Sequence, residues 1–200
     1  MASGRSSPGR AWDVVPESVK VVVAGGFGAG KTTLVGSVSE IAPMTTEELL
    51  TSASVGVDDL AGVERKTTTT VAMDFGRITI NQQIVLYLFG TPGQDRFWFM
   101  WNELAQGALG AIVLVDTRRL EASFASIDFF ERRGMPFVIA VNCFDGGCQH
   151  SVAEIRQALA VADEVPFILC DARSRESAKL ALIKLLQHAM SRLPPAPVLA

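Results

Sequence analysis

The sequence predicts an α/β fold of the doubly wound type, in which a mostly parallel six-stranded sheet carries helices on both faces. Two observations predict it. Apolar runs of strand length alternate with amphipathic stretches of helix length along the chain, as in proteins built from repeated strand–helix–strand units. Several of these runs are continuous in Val, Ile and Leu, which is typical of strands covered on both faces.

The individual elements follow from these patterns in chain order. The predicted strands are 19–24, 71–75, 84–89, 110–116, 136–142 and 166–170. The predicted helices are 31–40, 98–106, 123–133, 152–160 and 174–192.

Two helices carry further local signals. Ser151 and Glu154 form a capping box at the start of the fourth helix. Apolar residues at spacings of three or four in the last helix predict a stripe that faces the core. The residues of this stripe are Leu180, Ile183, Leu186 and Met190.

One globular domain is expected between two tails. Residues 1–16 and 193–200 are rich in small residues and Pro, so we expect flexible tails around a domain that spans 17–192. The stretch 43–70 has no predicted element. It is too long for an idle connection in a compact domain, so it is either disordered or functional.

The composition indicates a soluble cytoplasmic protein. A net charge of −3 gives no reason to expect nucleic acid as the main partner. No segment reaches the roughly 18 apolar residues of a membrane span, and the polar first residues do not resemble a signal peptide. Without a transmembrane segment, we expect at most peripheral membrane association through partners.

The cysteines are few and odd in number. Three in the whole chain fit a reducing compartment better than a disulfide framework. Cys143, Cys148 and His150 could be half of a zinc site, but no second close pair completes it. We therefore expect ordinary core or loop thiols.

A glycine-rich turn between the first strand and the first helix matches a phosphate-binding loop. Gly25, Gly30, Lys31 and Thr32 fit G-x-x-x-x-G-K-[ST]. The glycines let backbone N–H groups point at a phosphate chain, and the helix that follows adds its positive N-terminal end. The alternative is a turn that binds nothing. The residues expected to contact the nucleotide are Gly25, Gly26, Phe27, Gly28, Ala29, Gly30, Lys31, Thr32 and Thr33.

Two further groups should lie beside this loop, because they end neighbouring predicted strands at the carboxyl edge of the sheet. One is Asn142, Cys143 and Asp145; the other is Asp171, Ala172 and Arg173. A carboxylate at this edge accepts hydrogen bonds from N1–H and the exocyclic amine of guanine, whereas adenine has no donor at either position. The N-x-x-D pattern therefore favours guanine, although it is also compatible with a plain turn.

The sequence resembles the Ras-like P-loop GTPases, and within them the bacterial branch of MglA and the actinobacterial conservon GTPases. The resemblance spans about 19–190 and rests on GGFGAGKTT, KTTTTVAMDFG, LFGTPGQDRF, VNCFD and CDAR. It implies a small G-domain that uses Mg²⁺ and hydrolyses GTP to GDP and phosphate as a signalling switch. Asn142 and Asp145 match the N-K-x-D base motif, and Ala172 matches the alanine of the S-A-K loop.

The resemblance also implies roles in hydrolysis. Gly93 and Gln94 match the D-x-x-G-Q element, so Gln94 would orient the attacking water and Lys31 would hold phosphate charge. Thr32 and Thr70 would ligate Mg²⁺, with the register of Thr70 uncertain by about a residue among neighbouring threonines.

Four positions depart from the pattern. Gly90 replaces the D-x-x-G aspartate, and we expect Asp74 on the adjacent strand to hold the metal's water instead. Cys143 replaces the lysine that covers the base. Phe27 stands where glycine is preferred, which favours slow intrinsic hydrolysis. No arginine adjoins Thr70, so Arg65 or Arg96 would supply charge in cis unless both are surface charges.

A run of five apolar side chains over 97–101 cannot all point inward, so some should face outward in at least one nucleotide state and form a partner surface; the alternative is that most are buried under the sheet edge. They are Phe97, Trp98, Phe99, Met100 and Trp101. The resemblance implies a Roadblock/LC7-type dimer that accelerates hydrolysis, and a complex containing a sensor-kinase-like protein. Two other functions remain open: a nucleotide-binding scaffold without turnover, and an ATP-using phosphotransferase.

Overall fold

The structure is a computed structural model, and it describes residues 15–42, 44–50, 69–93, 98–143 and 148–192. The predicted tails lie outside these ranges apart from residues 15 and 16. Within them, seven strands form one sheet in the order β2-β3-β4-β1-β5-β6-β7. The strands are β1 Glu17–Gly25, β2 Met44–Leu50, β3 Thr69–Thr79, β4 Ile84–Gly90, β5 Ala108–Val115, β6 Phe137–Asn142 and β7 Phe167–Cys170.

Helices connect the parallel strands. They are α1 Lys31–Val38, α2 Trp98–Ala105, α3 Glu121–Arg132, α4 Val152–Leu159 and α5 Arg175–Ser191, with a short 3₁₀ turn at Thr117–Arg119. The capping box of α4 is present, because the Ser151 and Glu154 side chains each bond the other residue's backbone N–H. No helix in the described part of the chain is both long and apolar enough to cross a membrane.

The predicted fold class is confirmed, with one additional strand. β1 lies between β4 and β5 and is parallel to both, and β5, β6 and β7 continue in parallel. β3 is antiparallel to β4, and β2 is antiparallel to β3. β2 lies in the stretch for which the sequence predicted no element. Its sequence MTTEELL lacks a continuous apolar run, because an edge strand tolerates charged residues.

The hydrophobic core consists of two layers, one on each face of the sheet. Val21 and Val23 of β1 pack on one face with Leu34 of α1 and Leu185 of α5. Their neighbours Val22 and Ala24 pack on the other face with residues of α2, α3 and α4. Because successive side chains of a strand alternate between faces, this two-sided packing explains the continuous apolar run of β1.

The inward stripe predicted for α5 is wrong at three of its four residues: Leu180, Ile183 and Met190 are 55%, 48% and 66% exposed. The fourth, Leu186, is partly buried and packs against the core. The buried face consists instead of Ala178, Ala181, Leu182, Leu185 and Ala189. Both sets recur at helical spacing, so periodicity alone could not separate them. Small alanine side chains let α5 approach the sheet closely, and this selects the alanine-rich face.

Candidate nucleotide-binding site

The phosphate loop joins the end of β1 at Gly25 to the start of α1 at Lys31. Gly30, the residue before α1, has φ +104°, and a Cβ there would lie 2.5 Å from Nδ2 of Asn142. Only glycine fits this backbone and this contact. No side chain caps the N-terminus of α1, so the N–H groups of its first turn face the loop without a side-chain acceptor.

Lys31 lies inside the loop and is only 8% exposed. Its Nζ donates hydrogen bonds to the carbonyl oxygens of Gly25 at 2.9 Å and Gly26 at 2.8 Å. Burial lowers the pKa of Lys31 to about 8, against the opposing attraction of the Asp74 carboxylate. Lys31 is thus the first residue of α1, and its ammonium group is bound by the backbone of the phosphate loop.

Gly93 lies against Lys31 and the backbone of the phosphate loop. A Cβ on Gly93 would be 2.8 Å from Nζ of Lys31 and 2.9 Å from Cα of Phe27. The glycine matched to the D-x-x-G-Q element therefore contacts the phosphate loop directly. Gln94, the next residue, lies outside the described residues, as does Asp145.

Thr32 and Asp74 form a pair beside the loop. The Thr32 hydroxyl donates to Oδ2 of Asp74 over 2.8 Å. Asp74 lies opposite Gly90 in the β3–β4 register, and a Cβ on Gly90 would lie 2.8 Å from Oδ2 of Asp74. The glycine at the D-x-x-G position thus leaves space for a carboxylate from the neighbouring strand. Thr70 lies in β3, but its side chain is outside the described part.

Asn142 connects the phosphate loop to the segment after β7. Its side chain is buried, with Nδ2 donating to the Ala29 carbonyl at 2.9 Å and Oδ1 accepting from the Ala172 N–H at 3.0 Å. Three motifs that are distant in sequence are therefore joined by one carboxamide. Such a buried bridge fixes the loop relative to the sheet edge.

The remaining residues at this edge pair with one another. Asp171 accepts hydrogen bonds from the backbone N–H and the guanidinium of Arg173, all at 3.0 Å. This pairing lowers the pKa of Asp171. Ala172 is buried between them.

The expectation of free thiols at Cys143 and Cys148 is wrong, and so is the zinc half-site. The two residues form a disulfide, with Cα atoms 5.1 Å apart across a sequence separation of five. Sulfurs bonded to each other are not thiolate ligands for a metal. Cys170 is the expected buried free thiol.

The aromatic run is split between core and surface. Trp101 is buried against Phe129 and Phe130, whereas Phe99 is 57% exposed and Met100 is half-buried. Phe97 and the Trp98 side chain lie outside the described residues. Phe27 is 67% exposed in the phosphate loop, and its backbone lies against Gly93.

Arg119 is a residue of this site that sequence reasoning missed. Its Nη2 donates to the carbonyl of Phe27 over 2.8 Å. Arg65 and Arg96, the two arginines considered from sequence, lie outside the described residues. The available signal was Asp-Thr-Arg-Arg directly after β5, at the same carboxyl edge of the sheet as the phosphate loop.

Residues 23–192 match a protein family described as "conserved hypothetical ATP binding protein". The chain is 34% identical over 133 residues to the uncharacterized protein MJ1339 of Methanocaldococcus jannaschii, covering 66% of this chain and 73% of that protein. It is 29% identical over 203 residues to the human Ras-related protein Rab-40B, covering 96% of this chain and 66% of Rab-40B.

Solved G domains share the fold. The G domain of the FeoB iron transporter of T. maritima superposes with a TM-score of 0.60 at 18% identity, over 86% of this chain and 99% of that domain. The cytosolic domain of the same transporter in a GDP form superposes with a TM-score of 0.61 at 17% identity, over 88% of this chain and 64% of that one. The chain belongs to the family described as conserved hypothetical ATP-binding proteins, and it is a nucleotide-binding protein with a small G-domain fold.

Proposed function

We propose that this protein is a small GTPase that binds GTP with Mg²⁺, hydrolyses it slowly to GDP and phosphate, and acts as a switch. The observation that carries the proposal is the convergence of Lys31, the Thr32–Asp74 pair and the Asn142 bridge on one phosphate loop. A plain structural turn has no need for a buried cation, an adjacent carboxylate and a cross-linking carboxamide together.

Lys31 and the loop amides supply the phosphate-binding chemistry. Lys31 Nζ donates to two loop carbonyls, and those same N–H groups can turn to a polyphosphate, which is a stronger, charged acceptor. The first turn of α1 adds N–H donors and the positive end of the helix dipole.

The oxygen donors beside the loop fit Mg²⁺. Thr32 and Asp74 bring a hydroxyl and a carboxylate to within 2.8 Å of each other, and Mg²⁺ prefers such hard oxygen ligands. We assign Thr32 as a direct ligand, Asp74 as the group that holds a metal-bound water and Thr70 as a further ligand. When bound, Mg²⁺ neutralises charge that develops between the β- and γ-phosphates.

Hydrolysis then depends on positioning. Gln94 orients the attacking water, Gly93 brings its segment against Lys31, and Lys31 holds the γ-phosphate charge. Phe27 at the rim narrows access for Gln94 and for an arginine finger, so we expect slow intrinsic hydrolysis. A single-turnover rate without any partner near about 1 s⁻¹ or above would contradict that expectation.

Guanine is the proposed base, through the Asp145 carboxylate. The family description names ATP, which makes ATP binding the alternative to test. Asp145→Asn separates the two: an asparagine cannot accept both donors of guanine, but its amide N–H can donate to the C2 carbonyl of xanthine. We expect this variant to lose GDP affinity by about a hundredfold and to gain xanthosine diphosphate binding. Unchanged GDP affinity would exclude Asp145 as the base-reading group.

The proposed partners come from the resemblance to MglA and the conservon GTPases. They are a Roadblock/LC7-type protein that accelerates hydrolysis and a complex containing a sensor-kinase-like protein in bacterial signalling. The exposed Phe99 on α2 supports a partner surface next to the segment of Gln94.

A nucleotide-binding scaffold with little turnover is the second candidate function, favoured by Gly90, Phe27 and Cys143. Phosphate release measured with GTP, with and without a Roadblock-type protein, separates the two. Release that the partner accelerates and that Lys31→Ala abolishes supports a GTPase switch. Tight GTP binding without release in either condition supports a scaffold.

A further inference from the structure

We propose that Arg119 is a nucleotide-contacting residue that supplies positive charge to the polyphosphate in cis. This proposal rests on the proposed function, because it needs a nucleotide in the phosphate loop. The chain would then supply an arginine to its nucleotide site from its own 3₁₀ turn at Thr117–Arg119.

The guanidinium of Arg119 lies directly on the apex of the phosphate loop. Its Nη2 donates to the Phe27 carbonyl over 2.8 Å, and a Cβ on Gly28 would lie 2.9 Å from the same nitrogen. Phe27 and Gly28 are the central residues of the loop, so the charge is placed one peptide away from the N–H groups that would face a phosphate.

The position of Arg119 is fixed by the turn that carries it. Asp116, the residue that follows β5, is buried, and its Oδ1 accepts the backbone N–H of Arg118 at 3.0 Å. The Arg118 guanidinium occupies both carboxylate oxygens, at 2.9 Å and 2.7 Å. Arg119 is left with a 4.0 Å approach to Asp116, so its charge is only weakly neutralised.

Most donor groups of Arg119 remain available to a ligand. Among the described residues, the Phe27 carbonyl is its hydrogen-bond acceptor, and the side chain is 49% exposed. An arginine carries several N–H donors in a planar fork that matches a phosphate. The chain thus presents donors from Lys31 on the inside of the loop and from Arg119 on the outside.

If Arg119 had only a structural role, its hydrogen bond to the Phe27 carbonyl would serve to hold the 3₁₀ turn against the phosphate loop. Arg119→Gln tests this, because it keeps an amide donor on a shorter side chain but carries no charge, and its melting temperature reports whether the structural tie is lost. Arg119→Ala removes both charge and donor, and Arg132→Ala is the matched control, since Arg132 is an exposed arginine on α3 that pairs with Asp128 at the surface.

The experiment measures GDP and GTP affinity and single-turnover phosphate release for wild type and the three variants, with melting temperatures as a check of folding. We expect Arg119→Gln and Arg119→Ala to weaken GTP binding or slow release by about tenfold or more. Arg132→Ala should stay within about threefold of wild type. Added guanidinium at low, non-denaturing concentration should partly restore Arg119→Ala and have no such effect on Arg132→Ala.

Two results overturn the proposal. One is an Arg119→Gln variant that matches wild type in affinity and rate, whether or not Arg119→Ala is impaired or misfolded. The other is an equal effect of Arg132→Ala and Arg119→Ala. If the wild type itself binds no nucleoside triphosphate, and Lys31→Ala makes no difference, it is the proposed function that fails.

Discussion

Replacing Asn142 by alanine should destabilise the protein strongly, because one buried side chain satisfies two backbone groups. The Ala29 carbonyl accepts from Nδ2 at 2.9 Å, and the Ala172 N–H donates to Oδ1 at 3.0 Å. Asn142→Ala leaves both without this partner. A buried polar group without a partner costs about 1–3 kcal/mol, so the two together should cost about 2–6 kcal/mol.

Urea denaturation of the nucleotide-free protein measures this cost. For a typical dependence of about 2 kcal/mol per molar urea, the midpoint should fall by about 1–3 M. Asn102→Ala is the control, since Asn102 is an exposed asparagine on α2 that bonds Arg133 at the surface. It should change stability by less than about 1 kcal/mol. Equal midpoints for wild type and Asn142→Ala would refute the bridge as an energetic link between the loop and the sheet edge.

Three further predictions concern the same edge. The pKa of Lys31 is lowered to about 8, and phosphate binding needs its charged form. Nucleotide affinity, measured by calorimetry, should therefore be constant below about pH 7 and fall by up to about tenfold per pH unit above pH 8. A constant affinity up to about pH 10 would contradict this. In Gly90→Ala the new Cβ would lie 2.8 Å from Asp74, so this variant should weaken GDP binding with Mg²⁺ more than GDP binding in the presence of a metal chelator. Equal losses of affinity in the two conditions would argue against Asp74 in the metal site. Unreduced denatured protein should contain one titratable thiol and reduced protein three; three before reduction would exclude the Cys143–Cys148 bond.

Much of the fold could be predicted from sequence, because its signals are local. The apolar strands, the capping box at Ser151 and the glycine-rich turn before Lys31 each depend on neighbouring residues, and the structure has them where they were expected. β2 was missed because its pairing with β3 is set by tertiary contact rather than by its own apolar pattern. The prediction of the buried face of α5 was wrong because the leucine-rich and the alanine-rich stripes recur with the same helical period. Packing against the sheet, which the sequence does not show, selected the alanine-rich face.

In the candidate site, too, features set by neighbouring residues could be predicted, whereas features set by tertiary contacts could not. The phosphate loop was recognisable from spacing, and Asp74 was a candidate for the metal's water. Its position opposite Gly90 depends on the antiparallel register of β3 and β4. The Thr-Arg-Arg sequence at 117–119 is a weak signal for Arg119, since a surface arginine acquires a role only through the backbone folded against it. The Cys143–Cys148 bond likewise depends on how the two residues approach in space, which their spacing in the sequence does not specify.

The central claim is that this phosphate loop binds a guanine nucleotide. The most direct test is competition of GDP and ADP for the nucleotide-free protein in the presence of Mg²⁺, with Lys31→Ala as the control. We predict that GDP displaces a fluorescent guanine nucleotide at least about a hundredfold more effectively than ADP, and that Lys31→Ala binds neither tightly. Equal displacement by the two nucleotides, or preference for ADP, would contradict the claim.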